Sequence, residues 1–241
     1  MKLTSWNIRG LNGPMKYRMI KNMMQQERPH VFFIQETKCN NNTLGSILSR
    51  AWPGSHSVAV DASGASGGLA IAWDPQAISI TDAHVVHNII QATFHLTGTN
   101  IHGHLTNVYF SQDSMQKIAL LNTMEALSSN RTHPLWIMGG DFNMIRKSEE
   151  KRGGWAKLDM ESTHFKTYIQ NNLLIDLPFS NDMHTWNNKC SGSQQIVSKL
   201  DCFLISDNAI HIGGDIQASI LPLSNGCDLE TPPKDPSNSK C

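Results

Sequence analysis

Three apolar, strand-like runs of this chain end in side chains that could hold a cation or a phosphate. Asn7 closes the first run, and Glu36 follows the second. The third run, residues 135–138, is followed by Asp141 and Asn143. Strands that end in this way can bring carboxylate and carboxamide oxygens together at one rim of a sheet. A hard cation such as Mg²⁺ is held by one or two carboxylates plus substrate phosphate, so this spacing predicts metal-assisted hydrolysis of a phosphoester.

The composition describes an ordinary globular protein without a strong net charge. The 241 residues are 39% hydrophobic and 17% charged, and the formal net charge at pH 7 is +0. This length suits one large α/β domain or two small ones, and the composition excludes a disordered chain. Because the chain has no global positive field, binding of nucleic acid would have to use a local basic patch.

The sequence predicts neither a targeting segment nor a structural use of its cysteines. No run approaches the roughly 18–20 apolar residues of a membrane span, and the N-terminus leaves no room for a signal-peptide core. We therefore expect an intracellular protein, in the nucleus or cytoplasm, that is neither secreted nor bound to a membrane.

The five scattered cysteines predict neither a disulfide framework nor a structural zinc site. His102 and His104 would share one face of a strand, either as metal ligands or as ordinary solvent-facing residues.

Hydrophobic periodicity predicts four helices among many short strands. The helices are expected at residues 15–26, 44–51, 113–127 and 159–172, with Leu173 directed inward after the last one. Strands between residues 56 and 109 have connections too short for parallel crossovers, so they must pair antiparallel. Later strands are expected at residues 184–186, 200–205 and 217–221.

This order of elements predicts an α/β (α+β) fold of two mixed β-sheets packed face to face, with helices outside. We expect one domain over residues 1–223. Residues 224–241, which are rich in proline and serine, are expected to form an irregular, disordered tail.

Six segments of the chain resemble the endonuclease/exonuclease/phosphatase superfamily, and they occur in that family's order. They are SWNIRGLN (5–12), QETK (35–38), NVY (107–109), GDFN (140–143), TW (185–186) and KLD (199–201). The resemblance covers residues 1 to about 222 and implies a DNase I-like four-layer sandwich. Within the family, residues 6–11, 65–70 and 204–206 resemble the endonuclease domain of plant LINE-type retrotransposons.

The resemblance implies a metal site and a catalytic pair. Glu36, Asn7 and Asp228 would bind Mg²⁺, with Mn²⁺ as an alternative, since a hard cation prefers oxygen ligands. Asp141 would orient and deprotonate the attacking water. Asn143 would donate a hydrogen bond to the oxygens of the pentacovalent phosphorus intermediate. Ordinary structural roles stay open, because Asn7 could cap a turn and residues 141–143 could form an Asx-turn.

The resemblance also implies contacts around the substrate phosphate. Tyr109 and Thr185 would contact it, although an aromatic that closes a strand can equally be part of the core. Asp201 would join the acidic cluster, or alternatively pair with Lys199 or a neighbouring arginine. Arg9 stands where some relatives carry an acid, so the metal shell here would hold one carboxylate fewer.

A basic loop follows the Asp141–Asn143 segment. Arg146 and Lys147 open it, and Lys151, Arg152 and Lys157 continue it, opposed by three acids. The loop is either a solvated charged segment or a surface that tracks phosphates beside the active site. In the second case Arg146 and Lys147 would bind substrate phosphate and set affinity without reading sequence.

The C-terminal segment departs from the pattern that the resemblance implies. Family members of this type close with a Ser-Asp-His-type triplet and one more strand. Here Asp228 is retained, Leu229 replaces the histidine, and the prolines at 232 and 233 cannot continue a central strand. Loss of one acid–base partner costs about 10²–10⁴ in rate, and a missing last strand would expose a sheet edge. We therefore expect a destabilised sandwich with little or no nuclease activity.

The leading hypothesis is a monomeric, Mg²⁺-dependent DNA endonuclease-type domain of retrotransposon origin, impaired as this chain stands. One alternative is a phosphomonoesterase or phospholipid hydrolase, because fold alone does not determine substrate. The other is a non-catalytic remnant that still binds nucleic acid.

Overall fold

The computed structural model of the protein describes residues 1–11, 13–63, 66–129, 132–154, 159–212 and 216–221. This part of the chain contains the helices α1 (Pro14–Glu27), α2 (Asn41–Ala51), α3 (Ser114–Ser129) and α4 (Met160–Asn171). All four predicted helices are therefore confirmed. None of the described helices is both long and apolar enough to cross a membrane.

Thirteen strands are present within the same residues. They are β1 (Leu3–Asn7), β2 (Val31–Gln35), β3 (His56–Ser63), β4 (Ser66–Trp73), β5 (Ile78–Val86), β6 (Ile89–Leu96), β7 (His102–Tyr109), β8 (Trp136–Asp141), β9 (Lys151–Arg152), β10 (Leu174–Asp176), β11 (Trp186–Asn187), β12 (Val197–Ser198) and β13 (Asp201–Ser206).

Most of these strands form two mixed sheets, which confirms the predicted fold class. The first sheet has the order β1-β2-β4-β3, with β1 and β2 parallel. The second has the order β10-β13-β8-β7-β6-β5, with β7 and β8 parallel. The strands between residues 56 and 109 pair antiparallel, as predicted, but they divide between the sheets after β4. A small third sheet, β11-β12-β9, uses part of the basic loop.

Alternating side chains on the buried strands produce the four layers. In β2, Phe32 and Ile34 pack with α1 and α2, while Val31 and Phe33 face the second sheet. Both faces of this strand are fully buried, and residues 31–34 form a continuous apolar run, as expected for a central strand. On the far side of the second sheet, Phe165 of α4 packs among the residues of the outer core.

Polar caps determine where two helices begin. The side chain of Asn40 accepts a hydrogen bond from the backbone N–H of Thr43 at 2.9 Å. Asp159 accepts one from the backbone N–H of Ser162 at 2.8 Å. Each cap pairs a donor that the first helical turn leaves without an intrahelical partner.

Two local predictions are wrong. Leu173 is 64% exposed, because it follows the end of α4 with a left-handed backbone that turns its side chain away from the core. Residues 217–221 form only an isolated bridge between Phe179 and Ala218 instead of a strand. The short strand β10, which pairs with β13 at the sheet edge, was not predicted.

Gly140 allows the tightest backbone approach near the end of β8. Its φ is +140°, and a Cβ atom at this position would lie 2.0 Å from the carbonyl oxygen of Val108. We predict that Gly140→Ala lowers the free energy of unfolding by about 2–5 kcal/mol, because it adds overpacking to backbone strain. Urea unfolding followed by tryptophan fluorescence measures the change.

Gly45 provides the matched control for this substitution. It lies inside α2 without a positive φ, and a Cβ atom at this position would meet nothing within 4 Å apart from neighbouring residues of its own helix. Gly45→Ala should raise the free energy of unfolding by about 0.5–1 kcal/mol. Equal effects of the two substitutions would contradict the close approach at Gly140.

Candidate active site

The candidate active site lies at the rim where both sheets end. The side-chain amide of Asn7 donates hydrogen bonds to Glu36 Oε1 at 2.9 Å and to Asp141 Oδ2 at 2.8 Å. Asn7 and Glu36 belong to the first sheet, and Asp141 belongs to the second. One carboxamide therefore joins two carboxylates that are 105 residues apart in the chain (141 − 36).

The parallel pairing of β1 and β2 explains why Asn7 and Glu36 meet. Asn7 is in register with Gln35, so both strands end at the same level. Beyond that level the backbone N–H of Gly10 donates to the carbonyl of Glu36 at 2.7 Å. Glu36 itself adopts a left-handed backbone with φ of 52°, which directs the following residues away from the strand.

Asp201 and Tyr109 reach the same rim through the second sheet. Asp141 is in register with Asp201 of β13 on one side and with Tyr109 of β7 on the other. Thr185 anchors the start of β13, because its hydroxyl accepts the backbone N–H groups of Leu200 at 3.0 Å and Asp201 at 3.1 Å. The same hydroxyl also hydrogen-bonds the Asp201 carboxylate. In this structure Thr185 thus supports an acidic residue, and its contact with a phosphate stays a prediction.

The three carboxylates of the rim have different electrostatic environments. Burial opposes the charged form of Glu36, but hydrogen bonds from Asn7, Lys38 and Tyr109 outweigh it and lower its pKa. Lys38 Nζ lies 3.2 Å from Glu36 Oε2. Glu36 is therefore ionised at neutral pH.

The other two acids lack such compensation. Burial raises the pKa of Asp141, despite hydrogen bonds from Asn7 and Asn143, and the neighbouring charge of Glu36 adds to this. Burial raises the pKa of Asp201 as well, and repulsion from Asp141 adds to this. The site therefore has a high affinity for positive charge, in the form of protons or a cation.

The donor set fits a hard divalent cation. Glu36 offers an ionised carboxylate beside the Asn7 carboxamide, and Asp141 lies across from it with excess negative charge. No group of three or more histidine, cysteine, aspartate or glutamate side chains is arranged as a metal site in the described ranges. A Mg²⁺ ion needs only one or two protein carboxylates, because water and phosphate complete its shell. Glu36 and Asn7 are the residues that would hold it.

Asn143 and Tyr109 flank this donor set. The backbone N–H of Asn143 donates to Asp141 Oδ1 at 2.9 Å, which forms the Asx-turn that the sequence allowed. Its side-chain amide donates to the carbonyl of Phe110 at 2.6 Å, so one of its two amide hydrogens is already used. Tyr109 is half-buried, and burial together with the charge of Glu36 raises its pKa. Its hydroxyl therefore remains protonated and able to donate.

Arg146 lies in a separate ion-pair cluster. Its guanidinium pairs with Glu150 and Asp176, and Lys199 also pairs with Asp176. Lys199 therefore pairs with Asp176 and not with Asp201, which had been the alternative. A phosphate contact by Arg146 stays a prediction, and it would have to compete with two carboxylates. Lys147 is exposed, and both basic residues line a cavity of about 610 Å³.

Some sequence predictions fall elsewhere. Asp228 and Leu229, together with Lys157 of the basic loop, lie outside the described residues. His102 and His104 lie at the opposite end of β7 from Tyr109 and pack against His133. His104 Nε2 accepts the backbone N–H of Thr132 at 3.2 Å, which is a structural role.

Sequence reasoning assigned no role to two buried amides beneath the rim. Gln35 Nε2 donates to Asn107 Oδ1 at 2.6 Å, and both residues are fully buried. Asn107 Nδ2 in turn donates to the carbonyls of Ala70 at 2.7 Å and Ile34 at 3.3 Å in the other sheet. The available signal was an amide inside an apolar strand, directly before Glu36 in one case and two residues before Tyr109 in the other.

Comparison with known families agrees with this geometry. Residues 4–193 match the Endonuclease/Exonuclease/phosphatase family. The chain belongs to this family. None of the curated proteins gives a match.

Solved structures with the same fold include both nucleases and a phosphatase. The 3′-5′ exonuclease of Neisseria meningitidis has a TM-score of 0.70 and 18% identity, covering 90% of this chain and 91% of that chain. The endonuclease domain of TRAS1, a telomere-specific non-LTR retrotransposon, has a TM-score of 0.66 and 14% identity, covering 88% and 89%. A mannosyl-6-phosphatase of Bacteroides thetaiotaomicron has a TM-score of 0.62 and 17% identity, covering 86% and 85%.

The raised pKa values of Asp141 and Asp201 predict a pH-dependent stability. A carboxyl group whose pKa is raised on folding stabilises the protein below its ordinary pKa, near 3.9. That contribution is lost as the pH rises through the raised value. Without divalent cations, stability should therefore fall from pH 5 to pH 8. Asp201→Asn should raise Tm at pH 8 by about 2–4 °C, which is roughly 1 kcal/mol for a chain of this size.

Thermal unfolding in EDTA at both pH values checks this expectation. Glu149→Gln, which neutralises an exposed carboxylate, should leave the pH dependence as it is. An Asp201→Asn protein that loses as much stability between pH 5 and pH 8 as the unsubstituted chain would refute the assignment.

Proposed function

We propose that this chain is a Mg²⁺-dependent phosphodiester hydrolase, an endonuclease-type domain that acts on DNA. The observation that carries the proposal is the Asn7 carboxamide shared between Glu36 and Asp141 at the junction of the two sheets. Mn²⁺ is an alternative cation, because it also accepts oxygen ligands. The proposed domain spans residues 1–223.

The residues of the rim would have three different roles in hydrolysis: general base, hydrogen-bond donor and cation ligand. Asp141 would accept a hydrogen bond from the attacking water and take its proton, since a buried carboxylate with a raised pKa is an effective base near neutral pH. The remaining amide hydrogen of Asn143 would donate to the phosphate oxygens as charge develops. Tyr109 would do the same by turning its hydroxyl from Glu36 to the phosphate. A cation bound by Glu36 and Asn7 would polarise a phosphate oxygen as a Lewis acid.

DNA is favoured as substrate by two comparisons and one surface feature. A 3′ phosphatase from Neisseria with the same fold was solved bound to a product DNA hairpin. The TRAS1 neighbour is a retrotransposon endonuclease domain, in line with the plant LINE-type motifs at residues 6–11, 65–70 and 204–206. In this chain Lys147 and Arg152 are exposed on the loop that follows Asp141, where they would add nonspecific phosphate affinity.

Two other functions have specific support. The mannosyl-6-phosphatase neighbour favours a small phosphomonoester as substrate. Leu229, in place of the expected histidine, favours a slow enzyme or a remnant that only binds DNA. We propose a nuclease whose rate is about 10²–10⁴ lower than that of a complete site, which corresponds to the loss of one acid–base partner.

The central test is nicking of supercoiled plasmid by the full chain with Mg²⁺. Slow nicking is expected, and Glu36→Ala and Asp141→Ala should each abolish it, because they remove the cation ligand and the base. Glu149→Ala, which removes an exposed acid from the neighbouring loop, should nick at the rate of the unsubstituted chain. Gel electrophoresis of nicked and closed forms over time gives the rates.

A substrate panel separates the competing functions. Hydrolysis of mannose 6-phosphate, an inositol phosphate or a phospholipid, with intact plasmid, would select the phosphatase or phospholipase alternative. DNA binding without cleavage of any substrate would select the remnant. Nicking that survives Glu36→Ala would exclude Glu36 from the mechanism.

A further inference from the structure

Arg9 occupies a tightly held turn directly beyond the end of β1. Its backbone N–H donates to Asn7 Oδ1 at 3.2 Å. The residues on both sides of Arg9 form hydrogen bonds with the end of β2. The backbone N–H of Ile8 donates to the carbonyl of Gln35 at 3.0 Å, and that of Gly10 donates to the carbonyl of Glu36 at 2.7 Å. The backbone of Arg9 is therefore fixed beside the two residues that would hold the cation.

The conformation of Arg9 is costly. Its φ of 52° lies in the left-handed region, which is uncommon for residues other than glycine, asparagine and aspartate. Such strained conformations are costly and concentrate at functional sites. A purely structural arginine would be expected to offset this cost through contacts of its side chain.

Among the described residues, no hydrogen bond, ion pair or ring contact engages the side chain of Arg9, and the residue is exposed. Other cations near the rim are engaged: Lys38 pairs with Glu36, and Lys199 pairs with Asp176. The donors of Arg9 are thus available to a ligand.

The charge of Arg9 nevertheless reaches three titratable groups of the rim. It favours the ionised forms of Asp141, Asp201 and Tyr109, which come from three different strands of the second sheet. Arg9 itself belongs to the turn after the first sheet. That turn lies directly beside Asn7, which hydrogen-bonds Asp141, the group proposed as the base.

We infer that Arg9 is a catalytic residue that binds the non-bridging oxygens of the substrate phosphodiester through its guanidinium. This inference rests on the proposed function. A guanidinium presents its donors in a planar fork that matches two phosphate oxygens, which a lysine ammonium cannot do. As the attacking water adds to phosphorus, negative charge grows on these oxygens, and the fixed positive charge stabilises it. No covalent bond to Arg9 forms.

The hydrogen bonds of Asn7 explain how Arg9 and the other residues of the site would act on one phosphate. Asn7 accepts the backbone N–H of Arg9 through Oδ1 and donates to Glu36 and Asp141 through Nδ2. One carboxamide therefore holds the turn that carries Arg9 next to the two carboxylates. A phosphate held by Arg9 would thus be aligned with the cation ligands and with Asp141 at once.

The test compares Arg9→Ala and Arg9→Lys with Arg18→Ala in the full chain. Arg18 is an exposed residue of α1, so its substitution removes the same charge away from the cleft. Binding of a short DNA duplex is measured in EDTA over a series of salt concentrations. Nicking of plasmid with Mg²⁺ is measured in parallel.

Arg9→Ala should weaken duplex binding about tenfold or more at low salt and reduce the magnitude of the salt slope by about 1. It should also slow nicking by about 10²–10³. Arg9→Lys should recover the salt slope but only part of the rate, because it keeps the charge and loses the fork. Arg18→Ala should match the unsubstituted chain in nicking.

The outcomes separate this inference from the proposed function. If Glu36→Ala abolishes nicking but Arg9→Ala and Arg18→Ala behave alike in both assays, the inference on Arg9 is overturned and the function stands. If the chain binds duplex without nicking, the proposed function fails, while a changed salt slope in Arg9→Ala alone still supports phosphate binding by Arg9. A chain that binds no duplex at low salt overturns both.

Discussion

The buried pair of amides formed by Gln35 and Asn107 is the constraint on which the site depends. Each side chain comes from a central strand of a different sheet, and neither is exposed to solvent. A buried amide is costly without partners, so the hydrogen bonds of Asn107 to the carbonyls of Ala70 and Ile34 favour the register in which the two sheets pack. Apolar side chains such as Phe33 and Leu105, which fill the rest of the interface, have no comparable directionality.

That register determines which side chains come together at the rim, just beyond the amide pair. Glu36 directly follows Gln35, and Tyr109 lies two residues beyond Asn107 on the same face of its strand. Fixing the amide pair therefore fixes the distance between an acid of one sheet and the aromatic hydroxyl of the other. Asn7 completes the arrangement by hydrogen bonding across the junction to Asp141.

The site also concentrates charge that the fold alone does not require. Burial raises the pKa of Asp141 and of Asp201, and the charge of Glu36 adds to the first shift and that of Asp141 to the second. Lys38 forms an ion pair with Glu36, whereas neither Asp141 nor Asp201 has an ion pair within the described residues, and the charge of Arg9 offsets only part of their pKa shifts. Such uncompensated negative charge is a cost to stability that a bound cation would remove. Nucleases and a phosphatase share this fold. The clustered carboxylates would therefore serve the reaction, whereas the surrounding loops would select the substrate.

The sequence alone determined the helices and the class of fold, because these depend on local signals, whereas the family resemblance named Tyr109, Thr185 and Asp201 as further candidates for the site. Apolar strands that end in Asn7, Glu36 and Asp141 were visible as patterns along the chain. Only the tertiary structure decided which side chains pair with one another. It placed Lys199 with Asp176 and Thr185 beneath Asp201, and it left Leu173 outside the core. Such pairings depend on distances between residues far apart in the chain, which strand register and helix ends fix only after the layers have packed.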